Sequence, residues 1–190
     1  MGSSIITIPN GYPYAGKELK EIISPDLVQN RVSEIGREIS EIYEGKVPII
    51  IGVLNGAFIF MSDLIRNLTI DFEIDFIKID SYGDNTESTG TVRLIKDISA
   101  DITGRDIIVV EDIVDTGLSL KFLKHRMEEA SPQSLRFATC LYKPEVASQD
   151  LYIDWIGFNI DDHYVVGYGL DLKQNFRGLP GIYAVNKENN

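Results

Sequence analysis

The run VPIIIGVL, residues 47–54, sets the tightest limit on what this chain can fold into. It is continuous and rich in β-branched residues, so it suits a strand covered on both faces, the kind found in parallel sheets between layers of helix. DIIVVED (106–112) is a second buried strand. Helical patterns lie around them. SPDLVQNRVSEIGREISEIYEG is capped by Ser24 or Asp26, carries Val28, Val32, Ile35, Ile39 and Ile42 on one stripe, and stops at Gly45. NGAFIFMSDLIRNL and GLSLKFLKHRMEEA read as two more helices, the latter stopped by Pro132. EIDFIKIDSY (73–82), LRFATCLY (135–142), IDWIGFNI (153–160) and HYVVGYGLD (163–171) are further strand candidates. Residues 83–98 start polar and glycine-containing, as a long mobile loop or hairpin, and then regain strand character. Strands alternating with helices imply an α/β fold, a mainly parallel twisted sheet flanked by helices on both faces. We read 1–190 as a single domain. Its core spans roughly 25–150, and a small hood from 1–24 and 151–190 covers the carboxyl edge of the sheet.

Charge and cysteine content narrow the function classes. The formal net charge is −11, which disfavours a duplex-binding surface, since such surfaces are usually basic. The single cysteine, Cys140, permits no disulfide within the chain and reads as a small buried strand residue. No apolar run reaches the ~18 residues of a membrane span. MGSSIITIPNG lacks a basic segment followed by a long apolar one, so no secretory signal is expected. These readings lead us to expect a cytoplasmic protein without nucleic-acid or membrane partners.

The stretch VVEDIVDTGLSL, 109–120, carries the chemistry. Ligands of open α/β sheets bind at the carboxyl ends of strands, where Glu111 and Asp112 fall. The strand-to-helix turn that follows, with Thr116, Gly117 and Ser119, offers backbone N–H groups and hydroxyls to a phosphate. Gly117 permits a tight turn or close approach. The turn has neither the Gly-Lys pair of a Walker A loop nor the three glycines of a dinucleotide fingerprint. Two carboxylates would repel a bare phosphate. They suit sugar hydroxyls and magnesium, so the inferred ligand is a ribose with a 5′-phosphate and a bound metal. A solvated acidic turn is the plain alternative.

This stretch resembles the phosphoribosyl pyrophosphate signature of the type I phosphoribosyltransferases. GVLNGAFIF, IKIDSYGDNTESTGTV, YKPE and WIGFNIDDHYVVGYGLDLKQNFRGLPGIYAV resemble segments of the 6-oxopurine branch, the hypoxanthine-guanine phosphoribosyltransferases, over roughly 48–185. The resemblance implies the type I phosphoribosyltransferase fold and a Mg²⁺-dependent reaction. That reaction joins a 6-oxopurine base to phosphoribosyl pyrophosphate, giving a purine nucleoside monophosphate and pyrophosphate. It further implies that Glu111 and Asp112 hold the ribose hydroxyls directly or through Mg²⁺, that Asp115, Thr116, Gly117, Leu118 and Ser119 surround the 5′-phosphate, and that Asp115 is the general base at purine N7. Leu54, Asn55, Gly56 and Ala57 match the pyrophosphate loop, with a non-proline cis peptide at Leu54–Asn55, and Arg177 matches an arginine on pyrophosphate. Lys143 would donate to the 6-oxo group and reject a 6-amino group. Tyr164 would stack on the purine and Val165 would present backbone groups to its edge. Asp171 would sit at a second magnesium. Ser81 and Tyr82 match the start of a mobile loop that closes over the site. A homodimer or homotetramer is implied as well.

The sequence departs from the family at three places. Asn55 stands where some members carry Lys or Arg, leaving a backbone contact to pyrophosphate. Leu118 replaces a lysine of some members, shifting the 5′-phosphate onto backbone N–H groups. His163 stands where a lysine can occur and reads as a partly exposed strand-end residue, as His125 reads as a surface helix residue. Three alternatives make different demands on the sequence. A phosphoribosyltransferase-fold RNA-binding regulator would want a basic face. A signalling receiver domain would lack the phosphate cradle after the acidic pair. A xanthine-preferring enzyme would differ in how the base's 2-position is read near Asp171.

Overall fold

A computed structural model describes residues 4–12, 14–81, 92–148 and 150–185. The two apolar runs form central neighbours, β3 (Ile49–Leu54) and β6 (Asp106–Val114), paired in parallel with Ile49 opposite Ile107. The larger sheet adds β4 (Glu73–Ser81), β5 (Val92–Lys96), β7 (Ser134–Tyr142) and β8 (Trp155–Asn159), in the order β5-β4-β3-β6-β7-β8. Every pairing is parallel except β4 with β5. The antiparallel pair is at the edge, where a strand needs only one partner. It confirms the strand character regained late in 83–98. Tyr82 lies outside the described residues.

Alternation along β3 and β6 divides the core between two faces. Ile50, Ile108 and Val110 pack with α1 (Pro25–Ile42) and α2 (Phe58–Arg66), while Ile49, Ile51, Ile107 and Val109 pack with α3 (Leu118–Glu128). Ser24 caps α1 by accepting from the Leu27 N–H at 3.4 Å, and Asp26 lies in the first turn. Val28, Val32, Ile35 and Ile39 are buried as the stripe requires, but Ile42 is 42% exposed. Tyr43 takes the inward place instead, four residues after Ile39 and just past the helix end. Cys140 is buried, and the side chain of His125 is 82% exposed.

A second, antiparallel sheet forms the hood, in the order β1 (Ile5–Thr7), β2 (Glu18–Ile23), β10 (Ile182–Val185), β9 (Val165–Val166). Two sequence expectations change here. β8 joins the larger sheet, so the passage from core to hood falls after Asn159 rather than at 151. HYVVGYGLD is not one long strand, for only Val165–Val166 is strand. Gly167 and Leu170 then exchange two backbone hydrogen bonds of 3.0 Å around Tyr168 (φ 50°) and Gly169 (φ 102°), the dihedral signature of a tight mirror-image turn. Leu172 and Asn175 repeat the arrangement around Lys173 and Gln174, both with positive φ. Apolar alternation conceals such turns because Tyr168 is as apolar as a strand residue.

Candidate active site

The carboxyl ends of β3, β6 and β7 converge under the hood. Glu111 and Asp112 lie near the carboxyl end of β6, which runs two residues beyond them. Glu111 is 7% exposed, and its Oε2 is buried without a hydrogen-bond partner. Burial first, and the Asp112 charge second, push the Glu111 carboxyl well above its ordinary range. Burial also raises Asp112, against a lowering by its hydrogen bonds and by Arg177. A buried acidic pair with an orphaned oxygen suits a hard cation. Magnesium is commonly held by one or two carboxylates together with substrate oxygens, rather than by an all-protein cage. Among the described residues no three acidic, histidine or cysteine side chains form such a cage. Asp171 is engaged elsewhere, accepting from Arg177 at 2.7 Å and from the Gln174 N–H at 2.6 Å.

Two glycines bring three loops into contact. A Cβ on Gly56 would overlap the Asp112 carboxylate, and a Cβ on Gly169 would overlap the Gly56 carbonyl oxygen. The hood turn and the loop 54–57 therefore touch backbone to backbone, and the Asp112 carboxylate of β6 lies against Gly56. The peptide between Leu54 and Asn55 is cis. Arg177 binds the underside of the hood turn, donating to the Gly169 carbonyl at 2.7 Å as well as to Asp171 and Gln174.

The turn 115–117 leads into α3. Gly117 has φ 85°, a conformation that L side chains rarely adopt, and a Cβ there would push the Leu151 side chain aside. The N-cap Gly117 makes no side-chain cap hydrogen bond, and Leu118 and Ser119 stand in the first turn of α3. Thr116 Oγ1 accepts weakly from the Leu118 N–H at 3.4 Å. A helix start favours anions through its dipole and its N-terminal N–H groups.

Beside this turn, Asp112, Ile113, Asp115, Lys143, His163, Tyr164, Val165, Leu170 and Asp171 line one open hollow of about 230 Å³. Lys143 follows β7, is 6% exposed, and donates to Asp115 at 3.1 Å and to Asp162 at 2.9 Å. Burial would lower its pKa, but the two carboxylates outweigh that and hold it above the ordinary lysine value. Tyr164 is 47% exposed at the rim, with its hydroxyl donating to the Asp171 carbonyl at 2.9 Å.

A sequence profile described as a phosphoribosyl transferase domain matches residues 24–174. The hypoxanthine-guanine phosphoribosyltransferase of Bacillus subtilis is 41% identical over 163 residues, covering 86% of this chain and 91% of that protein. The chain belongs to the hypoxanthine-guanine branch of the phosphoribosyltransferase family. A crystal structure of a Bacillus anthracis hypoxanthine-guanine phosphoribosyltransferase, with a HEPES molecule in its active site, superposes with a TM-score of 0.83 at 45% identity. That match covers 87% of this chain and 98% of the other. The bifunctional TilS/HprT protein of Listeria monocytogenes is 40% identical over 169 residues, 89% of this chain, yet the chain spans only 26% of that protein's length.

Membership accounts for the type I phosphoribosyltransferase fold, and the structure brings Asp112, Asp115, Lys143, Tyr164, Val165 and Asp171 around one hollow. Thr116 and Gly117 lie in the adjoining turn, Leu118 and Ser119 open α3, Gly56 of the 54–57 loop touches Gly169 of the hood, and Arg177 donates to the Gly169 carbonyl. Ser81 ends β4. Sequence reasoning passed over Asp162 and Gly169. The acidic doublet Asp161–Asp162 just before Tyr164 was a visible signal, but its lysine partner lies 19 residues away.

Proposed function

We propose that this chain is a purine-salvage enzyme. It transfers the 5-phosphoribosyl group of phosphoribosyl pyrophosphate to N9 of hypoxanthine or guanine, with Mg²⁺, releasing pyrophosphate. The observation that carries this is the hollow where Asp115, Lys143 and Tyr164 stand beside Asp112. Phosphate cradle, sugar-facing carboxylates and a base pocket are contiguous, as a glycosyl transfer requires.

In this reading Tyr164 stacks on the purine, Val165 lines its edge, and Lys143 donates to O6, since an ammonium has hydrogens to give and no lone pair for an amino group. N9 forms the new bond to the anomeric carbon as the bond to pyrophosphate breaks, and the proton on N7 passes to the Asp115 carboxylate. The backbone N–H groups of 115–119, with Thr116 and Ser119, hold the 5′-phosphate. Leu54, Asn55, Gly56 and Arg177 receive pyrophosphate, and Ser81 and Tyr82 begin the closing loop. Glu111 and Asp112 would meet the ribose hydroxyls directly or through Mg²⁺, and Asp171 would sit at a second Mg²⁺; the metal would supply positive charge against that developing on the departing pyrophosphate. We further propose a cytoplasmic homodimer or homotetramer.

The test is to incubate the protein with phosphoribosyl pyrophosphate, Mg²⁺ and each of hypoxanthine, guanine, xanthine and adenine, measuring nucleotide formed. Turnover is expected with hypoxanthine, guanine or both. Absence of turnover with every 6-oxopurine would overturn the reading, xanthine as the sole good substrate would replace it with the xanthine-preferring one, and preference for adenine would remove the role given to Lys143. Asp115→Asn is expected to lower kcat far more than it weakens phosphoribosyl pyrophosphate binding.

A further inference from the structure

Lys143 is gripped by two carboxylates, and the reaction just described uses only one of them. Asp162, the second, lies in the bend between β8 and β9, two residues before Tyr164. The backbones on both sides of this bridge are pinned. The Lys143 N–H donates to the Val114 carbonyl at 3.0 Å, and the Ile160 N–H donates to the Tyr142 carbonyl at 2.9 Å. What stays adjustable is the four-carbon stem of the lysine, whose rotamer freedom must be lost before the ammonium can recognise a substrate.

We propose that Asp162 is a positioning residue for base recognition: it holds the Lys143 ammonium so that its remaining N–H meets the purine O6. The inference rests on the reading of Lys143 given above. An ammonium carries three donors. Asp162 takes one at 2.9 Å and Asp115 one at 3.1 Å, which leaves one for an acceptor entering the hollow. Asp162 also restrains a competing contact. Without it, Lys143 would swing wholly toward Asp115 and occupy the carboxylate that must face N7. The same bridge ties the end of β7, which sets the O6 donor, to the bend that sets the Tyr164 ring. Donor and stacking surface thus keep a fixed spacing.

The experiment compares Asp162→Asn, Asp162→Glu, Lys143→Met and the double variant Lys143→Met/Asp162→Asn in the full chain. Steady-state constants are measured for hypoxanthine or guanine and for phosphoribosyl pyrophosphate. Equilibrium binding of inosine 5′-monophosphate and of ribose 5-phosphate, which lacks the base, gives the same comparison without turnover. The carboxylates are substantially exposed, so the effect is modest: Asp162→Asn should raise KM for the base by about fivefold and leave KM for phosphoribosyl pyrophosphate unchanged. It should weaken inosine 5′-monophosphate but not ribose 5-phosphate. Asp162→Glu should restore most of the loss, and Asp162→Asn should have no further effect in the Lys143→Met background. Equal weakening of both ligands, or an undiminished effect without Lys143, would overturn the proposal. If Lys143→Met weakens the base while Asp162→Asn does not, the role of Asp162 fails and the function stands. If Lys143→Met leaves base binding intact, the reading of Lys143 fails first.

Discussion

Replacing Gly169 by alanine should separate the hood from the core of the site. Gly169 has φ 102°, where an L-residue costs about 1–2 kcal/mol. A Cβ there would overlap the Gly56 carbonyl oxygen, well inside van der Waals contact, so the hood turn and the 54–57 loop must part by about 1 Å. Overpacking of this kind adds about 1–3 kcal/mol, for a total near 3 kcal/mol. The contact sits above Asp112 and beside the Arg177 bond to Gly169, so the displacement reaches the groups assigned to ribose and pyrophosphate. A misplacement of that size costs up to about a hundredfold in rate, so kcat/KM for phosphoribosyl pyrophosphate should fall by about ten- to a hundredfold. Urea unfolding reads the stability loss, and steady-state kinetics read the site. Gly11→Ala is the control, with φ 94° and nothing within 4 Å of the added carbon. It should show the backbone cost alone and keep full activity. Equal stability losses in the two variants, with Gly169→Ala retaining its kcat/KM, would refute the glycine contact as the joint between hood and core.

Two further outcomes follow from buried polar groups. Burial and the Asp112 charge raise the Glu111 carboxyl, so folding takes up a proton, and the stability this gives is present at low pH and lost as pH rises through the raised value. In EDTA, Glu111→Gln should therefore melt above the parent protein at pH 8, with the gap closing toward pH 4.5; a gap independent of pH contradicts the shift. The Tyr168 hydroxyl donates to Asp63 at 2.8 Å, where Gln29 also donates at 2.7 Å, joining the hood to α1 and α2. Tyr168→Phe should cost about 1–2 kcal/mol by urea unfolding, and an unchanged midpoint would mean that this bond holds nothing.

Much of this molecule is legible in one dimension. Runs such as IIIGVL and DIIVV suit strands buried on both faces, and their alternation with helical patterns along the chain points to a parallel core between helical layers. The turn DTGLS is local, and a phosphate cradle is a property of consecutive backbone N–H groups. Where periodicity fails, the reasons are particular. Ile42 and Tyr43 both fall near the same helical stripe, and the end of α1 turned Tyr43 inward. In HYVVGYGLD three successive positive-φ residues, Gly167, Tyr168 and Gly169, fold the chain back on itself after Val166.

The chain alone determined that the carboxylates, the DTGLS turn and the lysine would lie at the carboxyl edge of a parallel sheet, because strand polarity delivers every such loop to one side. Only the tertiary structure decided which of them meet. Lys143 found Asp115 and Asp162 from 28 and 19 residues away, Gly169 came to rest on Gly56, and Asp171 turned to Arg177. Each contact depends on how the hood packs across the sheet. That packing arises from apolar surface buried without directional preference, and no spacing along the chain encodes it.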